Sequence, residues 1–409
     1  MSGGAAPPSP TSGAAPLDPF GAFLSREVVR GASDGSLAGV TVAVKDNIAV
    51  QGQPFTAGHP LHAHRRGPVY ATAVRRLLAA GAQVVGMTRT DSGGFGVTTP
   101  EVANPVHPGR SVGGSSGGAA AAVAGGFADL GLGTDTGGSI RLPAACTGLF
   151  GWKPSYGRVP MDGVWPLAPS LDHVGLIGRS LPVLESAARV LLSEEAPTTG
   201  FPPLFRPLVL GMEQDLPAYT SPTIRTALKE VERHLLRQGH RVCPVNAGDR
   251  RALVGAFGLV VTDEAREIYA GLRPSEYDAL GPAARAALSQ VGLERKGALS
   301  EARATLQQEA ARLTRQMEGL DALLGATLHS NLPVQGEDRI QRADGRPLPV
   351  LATFLAGTCR ANVAGLPALA MPISGLGGEE SFSLHLTAGW GRDLELLSVA
   401  DAIRSSIEE

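Results

Sequence analysis

The sequence predicts an α/β fold, in which a single domain is built on one large mixed, mainly parallel β-sheet with helices on both faces. Strand-like and helix-like segments alternate from residue 40 to residue 245, and this β-α-β order is typical of a parallel sheet covered by helices. The 409 residues are enough for one large α/β domain. No repeat of about 20 to 50 residues divides them, so a repeat architecture is not expected.

The elements of the first half follow from local patterns. Residues 40–44 form a short apolar run that ends at a Lys-Asp-Asn turn, which favours a strand. Residues 71–80 carry apolar side chains at helical spacing, and Gly81 ends this helix. By the same criteria we predict strands at residues 83–87, 128–133, 208–210 and 241–245, and helices at residues 117–124, 181–192 and 222–237. Residues 128–133 also fit a turn.

The second half departs from this order. Residues 250–320 are rich in Ala, Arg, Glu and Leu and predict helices with polar faces, which we expect to pack over one domain spanning residues 18–409. Strands at residues 366–372 and 382–386 and a helix at residues 394–407 complete the prediction. Residues 1–17 contain little besides Gly, Ala, Pro, Ser and Thr, without the regions of a signal peptide, and predict a disordered tail.

Composition narrows the classes of partner and the compartment. The formal net charge is -2 with no long run of one sign, which argues against a nucleic-acid or anionic membrane surface. The most apolar stretch, residues 119–133, is interrupted and too short to cross a bilayer. Cys146, Cys243 and Cys359 are widely separated, so we expect no disulfide framework and a cytoplasmic location. The 9 histidines follow no metal-binding spacing, and we expect no metal and no cofactor.

Two segments rich in glycine and serine lie close together in the chain. Residues 113–118 read Gly-Gly-Ser-Ser-Gly-Gly, and residues 133–141 read Gly-Thr-Asp-Thr-Gly-Gly-Ser-Ile-Arg. Amide cleavage requires a nucleophile, a base that takes its proton, and donors for the oxyanion. Paired glycines let successive N–H groups point into one small space beside Ser139, which we predict as the nucleophile. The predicted oxyanion hole consists of the backbone N–H groups of Thr136, Gly137, Gly138 and Ser139.

Other interpretations of these loops are weaker. For the second segment alone, a glycine-rich turn with a surface serine is the plain alternative. A phosphate-binding P-loop requires Gly-Lys-Ser/Thr, which does not follow residues 113–118. Residues 109–113 and 113–117 match the Gly-x-Ser-x-Gly nucleophile elbow of α/β-hydrolases. That elbow follows a hydrophobic strand, whereas residues 104–109 read Asn-Pro-Val-His-Pro-Gly, which is a loop.

The two segments together resemble the signature of the amidase signature family. Residues 113–143 match that signature without a mismatch: Gly-Gly-Ser-Ser-Gly-Gly, an Ala-rich spacer, then Gly-x-Gly-x-Asp-x-Gly-x-Ser-Ile-Arg-x-Pro. Residues 39–47, 148–158 and 170–175 are also similar to segments of that family. The similarity is strong over residues 36–180, weaker over residues 320–409, and not detectable between them. It implies the amidase signature fold and amide hydrolysis.

The resemblance also implies catalytic roles. In the family the base is a lysine that acts through a second serine on a cis peptide, which implies Lys45 as the base, Ser115 as the bridging serine and Ser139 as the nucleophile. A free lysine has a pKa near ~10.4, but burial can lower it by several units, and Lys45 ends an apolar strand. Ser115 would pass the proton of Ser139 to Lys45, and water would then hydrolyse the acyl-enzyme. The cis bond would precede Ser115 or join its neighbour.

Neighbouring residues have supporting roles in this scheme. Asp135 and Arg141 flank the nucleophile, and we expect them to pair and to fix the loop. Ser116 either orients Ser115 or caps the Ala-rich helix, and the cap is the commoner role for such a serine. Lys153, which precedes a proline, is expected to be a structural partner and not a second base.

The family implies a reaction more firmly than a substrate. We favour a stand-alone amidase that hydrolyses a small-molecule linear carboxamide to carboxylate and ammonia or amine, without nucleic acid or membrane, and a homodimer is left open. The family also contains the glutamyl-tRNA amidotransferase A subunit, so an A-subunit-like component of a tRNA-dependent amidotransferase is an alternative. A catalytically silent binding module is another. From position alone, the candidate pocket residues are Phe95, Trp165, Leu167 and His329.

Overall fold

The computed structural model describes residues 17–194, 206–289, 296–341, 346–375 and 382–408. The strands are β1 (Phe23–Ser25), β2 (Thr41–Lys45), β3 (Gln83–Thr88), β4 (Leu130–Asp135), β5 (Phe150–Lys153), β6 (His173–Gly178), β7 (Val209–Glu213), β8 (Arg241–Val245), β9 (Ala322–Ala326), β10 (Arg339–Gln341), β11 (Pro347–Pro349), β12 (Ala368–Ile373) and β13 (Phe382–Thr387). The helices are α1 (Thr72–Ala79), α2 (Gly117–Ala124), α3 (Arg141–Cys146), α4 (Leu181–Leu192), α5 (Pro222–Arg237), α6 (Arg250–Tyr269), α7 (Pro274–Asp278), α8 (Pro282–Leu288), α9 (Ala298–Gln316), α10 (Val350–Val363) and α11 (Asp393–Glu408).

Eleven of these strands form one mixed sheet in the order β1-β3-β2-β4-β6-β5-β12-β13-β9-β7-β8, and β10 and β11 form a separate ribbon. The predicted single large mixed sheet is thus confirmed. Parallel pairing is confined to β3-β2-β4 and β9-β7-β8. The other neighbouring pairs among the described strands are antiparallel. The sheet is therefore less parallel than the sequence predicts.

The connections between strands explain this difference. β2 and β3 are joined through α1, and β7 and β8 through α5, so each pair runs in the same direction. β5 and β6 are joined by residues 154–172, which contain no helix, and they pair antiparallel. β5 and β6 are also buried along their whole length, so they lack the alternation by which a half-buried strand is recognised in a sequence. Neither strand is among those predicted.

Helices cover both faces of the sheet. Val42 and Val44 of β2 belong to the main hydrophobic core, which also holds the apolar sides of α1, α4, α5 and α11. Ala43, between them, belongs to a second cluster with α2 and part of α3. Because successive side chains of a strand point to opposite faces, these two clusters lie on opposite sides of the sheet. The prediction of helices on both faces is confirmed.

The helices α6 to α9, within residues 250–289 and 296–316, form a helical layer of their own. α6 contacts α9 and α10, and α8 contacts the 3-10 turn at Ser92–Gly94. Asp249 caps α6 by accepting hydrogen bonds from the N–H groups of Arg251 and Ala252. The apolar sides of these helices form a cluster of their own that includes Leu167 and Leu355. This packing brings α6 and α10 above the second glycine-rich segment.

The predicted disordered tail, residues 1–17, lies outside the described residues except for Leu17. Within the described residues, no helix is both long enough and apolar enough to cross a membrane.

Candidate active site

Lys45 and the second glycine-rich segment meet at one edge of the sheet. β2 and β4 are parallel neighbours with Val44 opposite Leu132, so their carboxyl ends bring Lys45 next to Thr134. Lys45 is fully buried. Its Nζ lies 2.8 Å from Ser115 Oγ and 2.8 Å from Thr134 Oγ1. The contact between Lys45 and Ser115 implied by the family resemblance is therefore present.

The surroundings of Lys45 favour its uncharged form. Burial lowers its pKa from 10.5 to about 7, although the nearby carboxylates of Asp91, Asp135 and Asp172 act in the opposite direction. Because its pKa lies near neutrality, a large fraction of Lys45 is an unprotonated amine at pH 7. An unprotonated amine 2.8 Å from a hydroxyl group can accept that hydroxyl's proton.

The residue before Ser115, Gly114, packs so closely against its neighbours that a side chain would not fit there. The peptide bond between Gly114 and Ser115 is cis, in one of the two positions that the resemblance implies. A Cβ atom on Gly114 would lie 2.3 Å from Asp91 Oδ2 and 2.6 Å from the Thr98 nitrogen. Glycine is therefore required at position 114 by close packing against Asp91.

Ser116 has a different role from the predicted one. It is the N-cap residue of α2, but its side chain accepts no hydrogen bond from that helix. Its hydroxyl donates to the Thr134 carbonyl oxygen at 3.3 Å, and its N–H donates to the Ser139 carbonyl oxygen at 3.1 Å. The expectation of a helix cap is wrong, because the hydroxyl turns toward β4. Ser116 thereby ties the two glycine-rich segments together.

Ser139 lines a cavity and has a relative exposure of 7%. In the described part of the chain its hydroxyl group forms no hydrogen bond, so the relay contact with Ser115 is not formed in this structure. Catalytic hydrogen bonds are often long or poorly aligned before the substrate binds and tighten in the substrate complex. The backbone N–H groups of residues 136–139 likewise donate no hydrogen bond to any described residue. They are available to an oxyanion.

The two glycines beside Ser139 are required by their packing. Gly138 has φ 142°, and a Cβ atom there would lie 2.3 Å from Thr358 Oγ1. On Gly137, a Cβ atom would lie 2.6 Å from Phe257 Cζ. Thr358 Oγ1 also donates to the Gly137 carbonyl oxygen at 2.5 Å. The helices above the loop therefore hold its backbone in place.

Asp135 and Arg141 form the expected pair. Arg141 Nη2 lies 2.9 Å from Asp135 Oδ1 and Arg141 Nε lies 3.1 Å from Asp135 Oδ2, and both side chains are fully buried. Burial alone would raise the pKa of Asp135, but the charge and hydrogen bonds of Arg141 hold it well below its usual range. Arg141 also donates to the Thr358 carbonyl oxygen at 2.8 Å and to Asn362 Oδ1 at 2.5 Å. The pair links the second glycine-rich segment to α10.

Two buried aspartates near the site are not singled out by the sequence reasoning. Asp172 accepts hydrogen bonds from Thr136 Oγ1 at 2.6 Å and from the Leu167 nitrogen at 2.8 Å. Asp91 accepts from Thr99 Oγ1 at 3.0 Å. Burial raises the pKa of each carboxyl group to about 6. Asp172 lies within the family-like residues 170–175, which is the signal that could have found it.

Three of the four candidate pocket residues line cavities at the site, and the fourth does not. Phe95 and Leu167 line the cavity of about 70 Å³ that Ser139 also lines. Trp165 lines a smaller neighbouring cavity with Ser115. His329 is not at the site, because it is buried against Thr220 and Arg250.

Local geometry gives Lys153 a structural role. Lys153 Nζ donates to the carbonyl oxygens of Pro154 at 2.8 Å and Leu366 at 2.6 Å, and burial lowers its pKa well below 10.5. Its hydrogen bonds join two backbone segments and leave it away from Ser139. Within the described ranges, no group of three or more His, Cys, Asp or Glu side chains could hold a metal ion.

The site combines a lysine whose pKa lies near neutrality, a serine in contact with it, and a second serine beside free backbone N–H groups. Serine amidases, which are hydrolases that act on carbon–nitrogen bonds, use such groups as base, relay, nucleophile and oxyanion donors. The family model described as Amidase matches residues 24–397 of the chain. The protein belongs to this family, the amidase signature family.

Individual relatives agree with this membership. The chain is 36% identical to the glutamyl-tRNA(Gln) amidotransferase A subunit of Thermus thermophilus, over 95% of its own length and 91% of that protein's length. The corresponding A subunit of Halobacterium salinarum is 49% identical over 42% of this chain and 41% of its own length. A crystal structure of an amidase superposes with TM-score 0.83 and 29% identity, covering 91% of this chain and 86% of that chain. The A subunit of Thermotoga maritima superposes with TM-score 0.79 and 25% identity, covering 94% and 87%.

These relatives correct the expectation about partners. The sequence favours a small-molecule amide substrate without nucleic acid, and leaves a homodimer open. By name, the relatives from Thermus, Halobacterium and Thermotoga are subunits of an enzyme that acts on glutamyl-tRNA(Gln), which contradicts that expectation. The net charge of -2 is a sum over the whole chain, and such a sum does not report on what an assembly of several subunits binds.

Proposed function

We propose that the chain cleaves a carboxamide through a Ser139 acyl-enzyme and works as the A-subunit-like component of a tRNA-dependent amidotransferase. The hydrolytic step is supported above all by one observation, the buried Lys45 with a pKa of about 7 and its Nζ 2.8 Å from Ser115 Oγ. The transfer role is supported by 36% identity to the Thermus A subunit over 95% of this chain and 91% of that protein.

In the proposed mechanism, the substrate brings the Ser139 hydroxyl toward Ser115. Ser115 passes its proton to neutral Lys45 and takes the proton of Ser139, whose Oγ bonds to the carbonyl carbon. The oxyanion accepts hydrogen bonds from the N–H groups of residues 136–139. The carbon–nitrogen bond then breaks, and the proton returns from Lys45 through Ser115 to the leaving nitrogen, which departs as ammonia. Water, deprotonated by the same relay, releases the carboxylate.

In the transfer role, the ammonia is not the end product. It attacks the glutamyl side-chain carboxyl carbon carried by tRNA(Gln) after the assembly has activated that carboxylate as an acyl phosphate at the expense of a nucleoside triphosphate, so that the oxygen leaves with phosphate and glutamyl-tRNA becomes glutaminyl-tRNA. Asp172 and Asp91 act in this scheme as positioning residues for the oxyanion loop and for the Gly114–Ser115 segment.

An exchange of subunits tests both parts of the proposal. This chain replaces the A subunit in the Thermus thermophilus amidotransferase, with glutamine and with uncharged amides offered as nitrogen donors, and ammonia and glutaminyl-tRNA(Gln) are measured. We expect both products, and neither from the Ser139→Ala variant. Ammonia without glutaminyl-tRNA would reject the transfer role alone. If neither product forms and Ser139 cannot be acylated by an activated ester, the hydrolytic proposal is wrong as well.

A further inference from the structure

An open cleft with a volume of about 520 Å³ lies next to Asp91, outside the cavities that Ser115 and Ser139 line. This volume is within the range of about 300–1,000 Å³ that small-molecule sites occupy. We propose that the cleft binds an acidic amino acid through its charged side chains. Because the cleft is separate from the cavity at Ser139, this site goes beyond the proposed function and does not depend on it.

Five parts of the chain meet at the cleft. Leu24 of β1 lines it, together with parts of residues 54–66, 89–92, 100–101 and 281–283. These segments pack closely on one another. A Cβ atom on Gly58 would lie 2.6 Å from the Thr90 carbonyl oxygen, and one on Gly281 would lie 2.3 Å from Ser92 Cβ. The cleft is therefore bounded by backbone segments that hold each other in place, and the start of α8 brings the helical layer to it.

Three charged side chains of the cleft have no direct partner in the described part of the chain. Arg66, Arg89 and Glu101 line the cleft, and none of them forms a hydrogen bond or an ion pair through its side chain with a described residue. Arg66 and Glu101 interact with Asp46 and Asp91, respectively, only through charge at longer range. The donors and acceptors of all three side chains are therefore available to a ligand.

The other titratable side chains of the cleft, His59 and Asp91, add no free charge to it. Burial lowers the pKa of His59 to about 4, so this ring is uncharged at neutral pH. The Asp91 carboxylate already accepts hydrogen bonds from the Thr99 nitrogen at 3.1 Å and from Thr99 Oγ1 at 3.0 Å. The charges available to a ligand are therefore those of two arginines and one glutamate.

Two guanidinium groups and one carboxylate define the chemistry of the ligand. A guanidinium group binds a carboxylate through two parallel N–H donors, and a carboxylate attracts an ammonium group. An acidic amino acid has two carboxylates and one ammonium group, so its charges match Arg66, Arg89 and Glu101 one for one. Phosphate or a simple dicarboxylate matches the arginines but brings negative charge next to Glu101 without a cation between them, which is unfavourable.

The cleft and the predicted proton relay meet at Asp91. A Cβ atom on Gly114 would lie 2.3 Å from Asp91 Oδ2, so the Asp91 side chain packs against the segment that carries Ser115. Asp91 also lines the cleft. A ligand in the cleft therefore comes close to that segment without entering the cavity at Ser139. Loss of binding in the cleft should leave hydrolysis unchanged when the ligand is absent.

A series of ligands tests the match of charges. Isothermal titration calorimetry measures the binding of L-glutamate, L-aspartate, glutarate and inorganic phosphate to the full-length chain. We expect at least one of the two amino acids to bind about tenfold or more tightly than glutarate, which lacks the ammonium group, and than phosphate. If neither amino acid binds, or if glutarate or phosphate binds as tightly, the inference is wrong.

Substitutions of the three charged residues test where the amino acid binds. Arg66→Gln and Arg89→Gln each remove one guanidinium group, and we expect each to weaken binding of the tighter amino acid about tenfold or more. Glu101→Gln should weaken it as well but should not weaken binding of glutarate, which has no ammonium group. Arg75→Gln replaces an exposed residue of α1 that does not line the cleft, and this matched control should leave the affinity unchanged. Unchanged affinity in both cleft arginine variants would overturn the inference.

Ammonia release from L-glutamine separates the cleft from the reaction site. Arg66 is exposed and lies outside the cavity at Ser139, so we expect Arg66→Gln to keep the kcat/KM of the unaltered chain while its affinity for the acidic amino acid falls. An equal loss of binding and of hydrolysis would show that the amino acid binds at the reaction site, and would overturn the inference. If no amide is hydrolysed but binding depends on Arg66 as expected, only the proposed function is rejected.

Discussion

At the scale of single residues, the proposed base Lys45 leads to a prediction about the pH dependence of activity. Its pKa is lowered to about 7, and the neutral amine is the base in the proposed mechanism, so we expect activity to fall as pH drops through that value. We predict that kcat/KM decreases about tenfold per pH unit below about 6.5 and is constant above about 8. A profile that is flat between pH 6 and pH 8 would contradict the role of Lys45.

Asp91 provides an independent check on that profile. Its negative charge raises the pKa of Lys45, so Asp91→Asn should move the midpoint of the kcat/KM profile to lower pH. The asparagine keeps an oxygen that can accept the hydrogen bond from the Thr99 nitrogen, now 3.2 Å from Asp91 Oδ1. The measurement is the pH profile of kcat/KM for both proteins. An unchanged or higher midpoint would show that the titrating group is not Lys45.

Asp135 and Arg141 carry a stability prediction at the same scale. Both are fully buried and hydrogen-bonded to each other, and removal of one partner from such a pair leaves an unpaired charge. We expect Arg141→Met to lower the free energy of unfolding by about 3–5 kcal/mol, as measured by urea denaturation. Arg273→Gln breaks an exposed ion pair with Glu276 and serves as the control, with no measurable change expected.

The residues of the site differ in how far the sequence reveals them. Lys45, Ser115 and Ser139 stand in motifs whose spacing is long and specific, so the chain itself points to them. The spacing of motifs along the sequence does not determine the direction in which a hydroxyl group points. Ser116 donates to the Thr134 carbonyl oxygen instead of capping α2, because β4 approaches it, and this depends on packing between distant segments.

At the scale of elements, close packing requires glycine at position 118 of α2, although alanine is the better helix former. A Cβ atom on Gly118 would lie 2.5 Å from the Arg89 carbonyl oxygen and 2.7 Å from that of Ala22. We therefore expect Gly118→Ala to destabilise the protein by about 1–3 kcal/mol. A Cβ atom on Gly255 in α6 would meet no atom within 4 Å, so Gly255→Ala should stabilise the protein by up to about 1 kcal/mol. Urea denaturation of both variants checks the pair, and equal effects would contradict the packing argument.

The elements themselves were predictable in proportion to their local signal. α2, α4, α5 and β8 have the predicted bounds, and for the helices local signals mark the ends: Pro182 and Pro222 lie in the first turns of α4 and α5, and Gly125 follows α2. The direction of the central strands was not predictable, because the antiparallel pairing of β12 with β5 joins residues far apart in the sequence. The direction in which such strands pair depends on how the whole sheet assembles.

At the scale of the whole molecule, we propose that residues 18–409 unfold as one domain, including the helical layer. α10 connects the two parts, because it contacts α6 and α9 of the layer as well as α3 and β13 of the sheet region. Trp152 is buried in the main core and Trp165 packs against the cluster of the helical layer. Two single-tryptophan proteins, made by replacing the other tryptophans with phenylalanine, report on the two regions separately. We predict that their fluorescence midpoints in urea coincide, as a single cooperative transition requires, whereas a lower midpoint for Trp165 would show that the helical layer opens on its own.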